Sequence, residues 1–156
     1  MKKFLTLFVL IFVIVAKSNA QFVIGGSYLG PNVWLLNSLT IFGADYEYGL
    51  AKLGPGKFGI GANLDYYSTD YASIIWVGVT GLYHFDVNNQ IDPFVGLNLY
   101  NSTVSYKDNF STGGTSGIAW DIYGGARYFF TPSLAGNLTA SFRGGINLRV
   151  GVDFKL

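Results

Sequence analysis

The sequence predicts an all-β protein, an eight-stranded antiparallel up-and-down transmembrane β-barrel. Three observations carry this prediction. Apolar and polar residues alternate along most of the chain, which is the pattern of β-strands whose two faces meet different surroundings. The alternating segments are mostly long enough for tilted strands to cross a bilayer, which takes about 9–11 residues. Only 12% of the residues are charged, whereas 50% are hydrophobic, so the charges are too few to coat a water-soluble barrel.

Residues 1–20 precede the alternating region and are predicted to be a cleaved secretory signal peptide. Two lysines form a positive start, an apolar run covers residues 4–16, and Ser18 and Ala20 supply the small residues of a cleavage site. A helix that spans a membrane needs about 20 apolar residues, so this run is too short for an anchor. We expect the mature chain to be residues 21–156, an outer-membrane β-barrel domain without cysteine and therefore without disulfides.

The first half of the mature chain contains four predicted strands, 22–30, 39–51, 57–68 and 72–85. In the second of these, the apolar face consists of Phe42, Ala44, Tyr46, Tyr48 and Leu50. In the third, it consists of Phe58, Ile60, Ala62, Leu64 and Tyr66. The fourth is apolar on both faces, and its lipid-facing set is assigned to Ile75, Val77, Val79, Tyr83 and Phe85.

The second half contains four more predicted strands, 91–100, 117–130, 134–142 and 146–156. The last strand shows the clearest alternation. Its apolar face is Ile146, Leu148, Val150, Val152, Phe154 and Leu156. Its other face is Asn147, Arg149, Gly151, Asp153 and Lys155. Eight strands are an even number and the smallest size of outer-membrane barrel.

The connections between these strands predict the orientation of the barrel. Polar turns at 53–56, 86–90 and 131–133 are short, whereas 101–116 is the longest connection. Outer-membrane barrels have short periplasmic turns and longer external loops, so both termini are expected in the periplasm and 101–116 outside. Aromatic side chains near the periplasmic strand ends are predicted to form an interfacial girdle: Tyr48, Phe58, Phe85, Tyr128, Phe130 and Phe154.

Several runs resemble small outer-membrane β-barrel proteins of Bacteroidota. They are GLYHFD at 81–86, IDPFVGL at 91–97, GARYFFTP at 125–132 and the ending at 148–156. The resemblance covers roughly residues 78–156 and implies an OmpA-like or OmpX-like eight-stranded barrel in contact with outer-membrane lipids. The ending also resembles the signal read by the barrel-insertion machinery, although Leu156 stands where an aromatic residue is common. The resemblance implies no single activity.

A group of charged residues falls on the polar faces of the predicted strands and is the candidate site. Its members are Asp45, Glu47, Asp65, Asp121, Arg127, Arg149, Asp153 and Lys155. An eight-stranded barrel has an interior just wide enough to be filled by side chains. Because a buried unpaired charge is costly, these groups are expected to pair with one another. Their role is either a structural plug or a gate that opens when ion pairs exchange partners.

No catalytic, cofactor or metal site is predicted from the sequence. His84 is the single histidine, it lies at the predicted periplasmic end of the fourth strand, and we expect it to be an interfacial or turn-capping residue. One histidine without cysteine supplies too few soft ligands for a metal site. A formal net charge of +1 is not that of a nucleic-acid-binding protein.

The function expected from the sequence is that of an integral outer-membrane barrel with a plugged polar interior and no enzymatic activity. It would act structurally or contact a surface partner through the 101–116 loop, where Tyr106 and Phe110 stand among polar residues. One alternative is a narrow pore for small solutes. A second alternative is an enzyme that modifies lipids of the outer leaflet.

Overall fold

Eight antiparallel strands close into one barrel in the computed structural model, which describes residues 22–36, 39–87, 89–106, 115–142 and 146–156. Each strand pairs with its neighbours in the sequence, and β1 pairs with β8 to close the sheet. The strands are β1 Ser27–Leu36, β2 Leu39–Leu53, β3 Gly56–Ser68, β4 Ala72–Phe85, β5 Ile91–Tyr106, β6 Thr115–Thr131, β7 Leu134–Phe142 and β8 Ile146–Lys155. The predicted fold class is therefore confirmed.

The outer face of the barrel is apolar, as the alternation predicts. Large hydrophobic side chains at alternate positions of every strand are exposed, with Val79 at 58%, Leu97 at 54% and Leu148 at 45%. The assignment for β4 is also confirmed, because Ile75, Val77 and Val79 are exposed. The closed sheet pairs its backbone groups internally, which is the condition for strands in hydrocarbon.

The inner face of the barrel is polar and tightly filled. Its buried polar and charged side chains are Asn32, Glu47, Asn63, Asp65, His84, Asp92, Asn98, Asp121, Arg127, Thr139, Ser141, Asn147, Arg149 and Asp153. This distribution is the reverse of that in a water-soluble protein, because the charged groups lie inside and the aliphatic groups lie outside. Because a water-soluble protein rarely exposes apolar patches of more than a few hundred Å², this surface suits lipid.

The prediction for the first strand is wrong by about half its length. Residues 22–30 were expected to form it, but the strand covers Ser27–Leu36 and includes Pro31, which lay in a predicted connection. The β1–β8 ladder pairs Leu29 with Phe154 and next Asn32 with Gly151, so the pairs between them are missing. Proline cannot donate to a ladder, and β1 continues past Pro31 because the ladder is open at that point.

The remaining strand boundaries differ from the prediction mainly at the ends of β5 and β6. β5 extends to Tyr106 and β6 begins at Thr115, so both strands take residues from the connection predicted at 101–116. Residues 107–114 lie outside the described part of the chain, and so does Phe110. The turn at Gly54 is confirmed, and its φ of 59° is a left-handed conformation that glycine adopts without strain.

The first and last described residues and three turns lie together at one end of the barrel, which we call the terminal end. It holds the beginning of β1, the end of β8 and the turns that follow β2, β4 and β6. The six aromatic residues of the predicted girdle lie on the outward face near this end. The predicted signal peptide lies outside the described residues. None of the residues that the structure describes forms a helix able to cross a membrane.

An arginine placed on the outer face should destabilise the barrel if that face meets hydrocarbon. Val79 lies in the middle of β4 and points outward, so Val79→Arg should cost about 2–4 kcal/mol of unfolding free energy in a bilayer. Urea unfolding of barrels refolded into liposomes measures this cost.

Val87→Arg is the matched control, because Val87 is 64% exposed just beyond the end of β4. That change should leave the unfolding free energy within about 0.5 kcal/mol of the parent. Equal effects of the two substitutions would contradict an outer face in contact with lipid.

Candidate functional site

Arg127 is the centre of an ion-pair cluster that joins strands from different sides of the barrel. Its Nη2 donates to Oε2 of Glu47 at 2.5 Å, and its Nε donates to Oδ2 of Asp153 at 2.6 Å. Asp92 lies 3.7 Å from Nη1. All of these side chains are at least nine-tenths buried. We call Glu47, His84, Asp92, Arg127 and Asp153 the Arg127 cluster.

His84 belongs to this cluster, so the expectation of an interfacial or turn-capping residue is wrong. Its side chain is 1% exposed, its Nε2 is 2.6 Å from Oε1 of Glu47, and its Nδ1 is 2.9 Å from Oδ2 of Asp92. Both contacts are hydrogen bonds donated by the ring when the imidazole carries two protons. The physical reason is the alternation itself, because Phe85 faces outward and its neighbour in the strand must then face inward.

Aromatic rings surround the guanidinium of Arg127. Its central carbon lies 5.9 Å from the ring centre of Phe22, 5.4 Å from that of Tyr28 and 5.3 Å from that of Phe94. Rings at these distances attract a cation and exclude water from it. The cluster is therefore enclosed by aromatic side chains as well as by its carboxylates.

Arg149 forms a second group toward the other end of the barrel. Its Nη1 lies 2.9 Å from Asp45, and its central carbon lies 5.1 Å from the ring of Trp34. Trp34 in turn donates from Nε1 to Oδ1 of Asp65 at 2.9 Å. Arg149 donates from Nη1 to Oδ1 of Asp45, and Asn32 donates from Nδ2 to Oδ2 at 2.9 Å, so this carboxylate has both a charged and a neutral partner.

The structure thus divides the eight predicted residues among several settings. Glu47, Arg127 and Asp153 meet in the Arg127 cluster, and Asp45 meets Arg149 in the second group. Asp65 is held by Trp34 and by Nδ2 of Asn63 at 3.2 Å. Asp121 is buried opposite Asn98 in the β5–β6 ladder. Lys155 is half-buried at the end of β8, where it is paired in register with Tyr28.

Three residues of the Arg127 cluster and its enclosure were missed or misplaced by sequence reasoning. Asp92 stands in a strand whose alternation is weak, and His84 was assigned by its position near a strand end rather than by its face. Phe22 was expected in a strand but lies before β1, inside the barrel and 1% exposed. The two-residue alternation places Asp92 and His84 on the inner face and could have identified both of them. No local pattern points to Phe22.

Glycines on the inner face make room for the polar side chains. A Cβ at Gly43 would collide with Oδ1 of Asp65 and of Asn32, and a Cβ at Gly78 would collide with Oδ1 of Asn63. Bare backbone opposite a carboxamide lets the narrow interior close without strain. The glycine-rich polar faces are therefore part of how the charges are packed.

A cavity of about 20 Å³ lies between the two arginines. Four polar atoms of its lining have no hydrogen-bond partner among the described residues: Arg127 Nη1, Asn137 Oδ1, Thr139 Oγ1 and Arg149 Nε. A space of this size with several polar walls holds about one water molecule. Among the described residues no group of histidine and carboxylate side chains is arranged to hold a metal ion.

Solved structures with the same fold are transmembrane β-barrels. The N-terminal β-barrel domain of Pseudomonas aeruginosa OprF matches with a TM-score of 0.67 and 16% identity, over 85% of this chain and 98% of that one. A de novo designed transmembrane β-barrel matches at 0.64 and 15%, over 86% and 98%. Ail, the attachment invasion locus protein of Yersinia pestis, matches at 0.60 and 9%, over 86% and 100%.

These likenesses show the fold alone. No model of a known protein family and no curated protein matches the sequence. A designed barrel matches about as well as natural ones, so likeness at this level follows from strand number and closure rather than from a shared activity. The class that fold and interior define is an eight-stranded transmembrane β-barrel with a charged, filled interior.

Loss of the charge of Glu47 should destabilise the barrel strongly. Glu47→Gln removes the negative charge of the carboxylate that is hydrogen-bonded to both Arg127 and His84, so the unfolding free energy should fall by about 3–5 kcal/mol. Equilibrium urea unfolding in detergent, followed by tryptophan fluorescence, measures the change.

Asp86→Asn is the matched control, because it makes the same carboxylate-to-amide change in an exposed ion pair. Asp86 lies 2.5 Å from Lys57 and its side chain is 36% exposed. The loss should stay below about 1 kcal/mol. A loss at Glu47 no larger than at Asp86 would show that the cluster does not hold the barrel together.

Proposed function

We propose that this chain is an integral outer-membrane β-barrel whose interior is a structural plug and which has no enzymatic activity. The observation that carries the proposal is the filled interior, where Arg127 is shared by Glu47 and Asp153 from other strands. A wide aqueous passage would leave such groups hydrated, whereas here they are buried and pair with one another. The outward aliphatic face and the likeness to outer-membrane barrels support the membrane location.

Several finer points belong to the same proposal. The chain would reach the membrane after removal of residues 1–20 and would be inserted by the barrel-insertion machinery, whose signal its last strand resembles. We propose that the chain is an OmpA-like or OmpX-like barrel of Bacteroidota, because the residue runs at 81–86 and 125–132 resemble those of such proteins. The likeness in fold to OprF and Ail supports an outer-membrane barrel but does not distinguish one family of such barrels from another.

The setting of the single histidine supports a role without catalysis. An enzyme that acts on lipids of the outer leaflet needs a catalytic group that lipid can reach. His84 is 1% exposed, is engaged by two carboxylates and lies at the terminal end of β4. The chain has no second histidine to take such a role.

A surface contact through the long connection is the role that we propose for the exposed end of the barrel. The described part of this connection includes Tyr106, which is 46% exposed at the end of β5. Of the similar structures, one is the attachment invasion locus protein of Yersinia pestis, which has also been solved with the heparin analogue sucrose octasulfate. A scaffold that only displays a loop needs no conducting interior, so the plug and this role are compatible.

A plugged barrel should not conduct. Purified protein in proteoliposomes should give the same swelling rate in isotonic arabinose as empty liposomes, because the interior cavity holds about one water molecule. A heat-modifiable gel shift confirms that the sample is folded. Swelling above the empty control would overturn the structural plug and favour the pore.

A narrow pore opened by exchange of ion pairs is the second candidate function. One observation favours it, namely that Arg127 lines the cavity and that its Nη1, 3.7 Å from Asp92, has no hydrogen-bond partner among the described residues. Asp45 lines the same cavity and is the carboxylate to which the guanidinium would transfer.

Single-channel recording tests this gate. If Arg127 is the moving part, wild-type protein should show brief small openings, and Arg127→Ala should change how long they last. Lys52→Ala is a control on the exposed surface and should leave the recording unchanged. Silent traces from both folded wild-type protein and Arg127→Ala would refute the gate.

A further inference from the structure

The segment Phe22–Gly26 enters the terminal end of the barrel, although it belongs to no strand. Phe22 is 1% exposed, whereas Ile24, two residues later, is 48% exposed. The chain therefore buries one aromatic ring inside this end of the barrel and leaves Ile24 exposed at its rim. The segment therefore does not form a ninth strand. We call Phe22 the stopper, because its ring fills the opening of the barrel at the terminal end.

The ring of Phe22 lies in an aromatic and cationic pocket. It stacks on the imidazole of His84 with a centroid distance of 3.7 Å and an angle of 7°. It also stacks on Tyr28 at 5.2 Å and 24°, and the guanidinium carbon of Arg127 lies 5.9 Å away. Parallel stacking on two planar groups requires a planar occupant.

Two glycines on neighbouring strands leave the space that this segment fills. A Cβ at Gly59 would touch the ring of Phe22 and collide with Oε1 of Glu47. A Cβ at Gly49 would collide with the carbonyl oxygen of Val23. Both positions are buried. Residues of β1, β2, β3, β4 and β6 thus form the walls of the pocket, and the amino-terminal segment occupies it.

The segment is attached through a glycine pair and few hydrogen bonds. Gly25 has φ of 79°, a left-handed conformation that reverses the chain toward the interior. Its amide donates to the carbonyl of Gly49 at 2.7 Å, and the amide of Gly49 donates to the carbonyl of Gly26 at 2.9 Å. The amide of Val23 donates to the hydroxyl of Tyr28 at 2.9 Å. The ring of Phe22 is the one large side chain of this segment that is fully buried.

We propose that the pocket bounded by His84, Tyr28 and Arg127 is a binding site for a planar aromatic ring, and that Phe22 is its built-in occupant. The inference rests on the plugged interior proposed above and adds that Phe22 completes the plug at the terminal end. While Phe22 is seated, it covers the imidazole of His84 and separates the Arg127 cluster from bulk water at the terminal end. When Phe22 is absent, the imidazole is open to small reagents at the terminal end.

Chemical modification of the single histidine tests this stopper. Diethyl pyrocarbonate acylates accessible imidazoles, and in tag-free protein mass spectrometry of the peptide that contains His84 reports its accessibility without ambiguity. Folded Phe22→Ala should be modified at least about tenfold faster than folded wild-type protein, because the covering ring is gone. Ile24→Ala is the matched control in the same segment and should react at the wild-type rate.

Phenol and cyclohexanol then test the preference for a planar ring. A cavity left by a deleted aromatic side chain binds small rings of matching shape. Phenol should restore the protection of His84 in Phe22→Ala, whereas cyclohexanol, of similar size but not planar, should restore much less. Equal protection by the two alcohols would overturn the claim of an aromatic site.

Two results would overturn the stopper itself. One is a folded Phe22→Ala protein in which His84 stays as protected as in wild type. The other needs no variant, namely a folded wild-type protein whose His84 reacts as fast as in urea, and it applies even if Phe22→Ala does not fold. Either result leaves the absence of liposome swelling untouched, so failure of the stopper is distinguishable from failure of the plugged barrel.

Discussion

Closure of a sheet of only eight strands is the constraint on which the rest of this molecule depends. Closure pairs β1 with β8, so that the sheet has no edge strand. It also encloses an interior so narrow that inward side chains have only one another as partners. Each polar residue at an inward position must therefore find a complementary group across the barrel or lie over a glycine, as Asn63 does over Gly78.

The two arginines form ion pairs that link strands which are not neighbours in the sheet. Arg127 on β6 reaches Glu47 on β2, and Arg149 on β8 reaches Asp45 on β2. The partners are 80 and 104 residues apart in the sequence. Loss of one partner would leave an uncompensated buried charge, so each pair ties together the strands that it joins. Both arginines also lie against aromatic rings, which attract their positive charge.

Sequence reasoning worked where the evidence is local and failed where a contact spans the barrel. The inward faces of Glu47, Arg127 and Asp153 follow from a period of two residues and needed no structure. Their grouping around Arg127, without Lys155, depends on how neighbouring strands are staggered. His84 shows the boundary between the two, because its place in the alternation predicts an inward side chain whereas its proximity to a turn predicts an interfacial one. The first strand failed because Pro31 normally ends pairing, and here β1 continues past it.

By itself, the sequence determined the strand number, the outward aliphatic face and the inward position of most charges. These properties repeat along a single strand, and the alternation of side chains records them directly. Only the tertiary structure decided which carboxylates share Arg127, and that Phe22 folds back to cover His84. Those contacts join residues that are remote in the chain, and their geometry is set by strand register and closure, which no local pattern encodes.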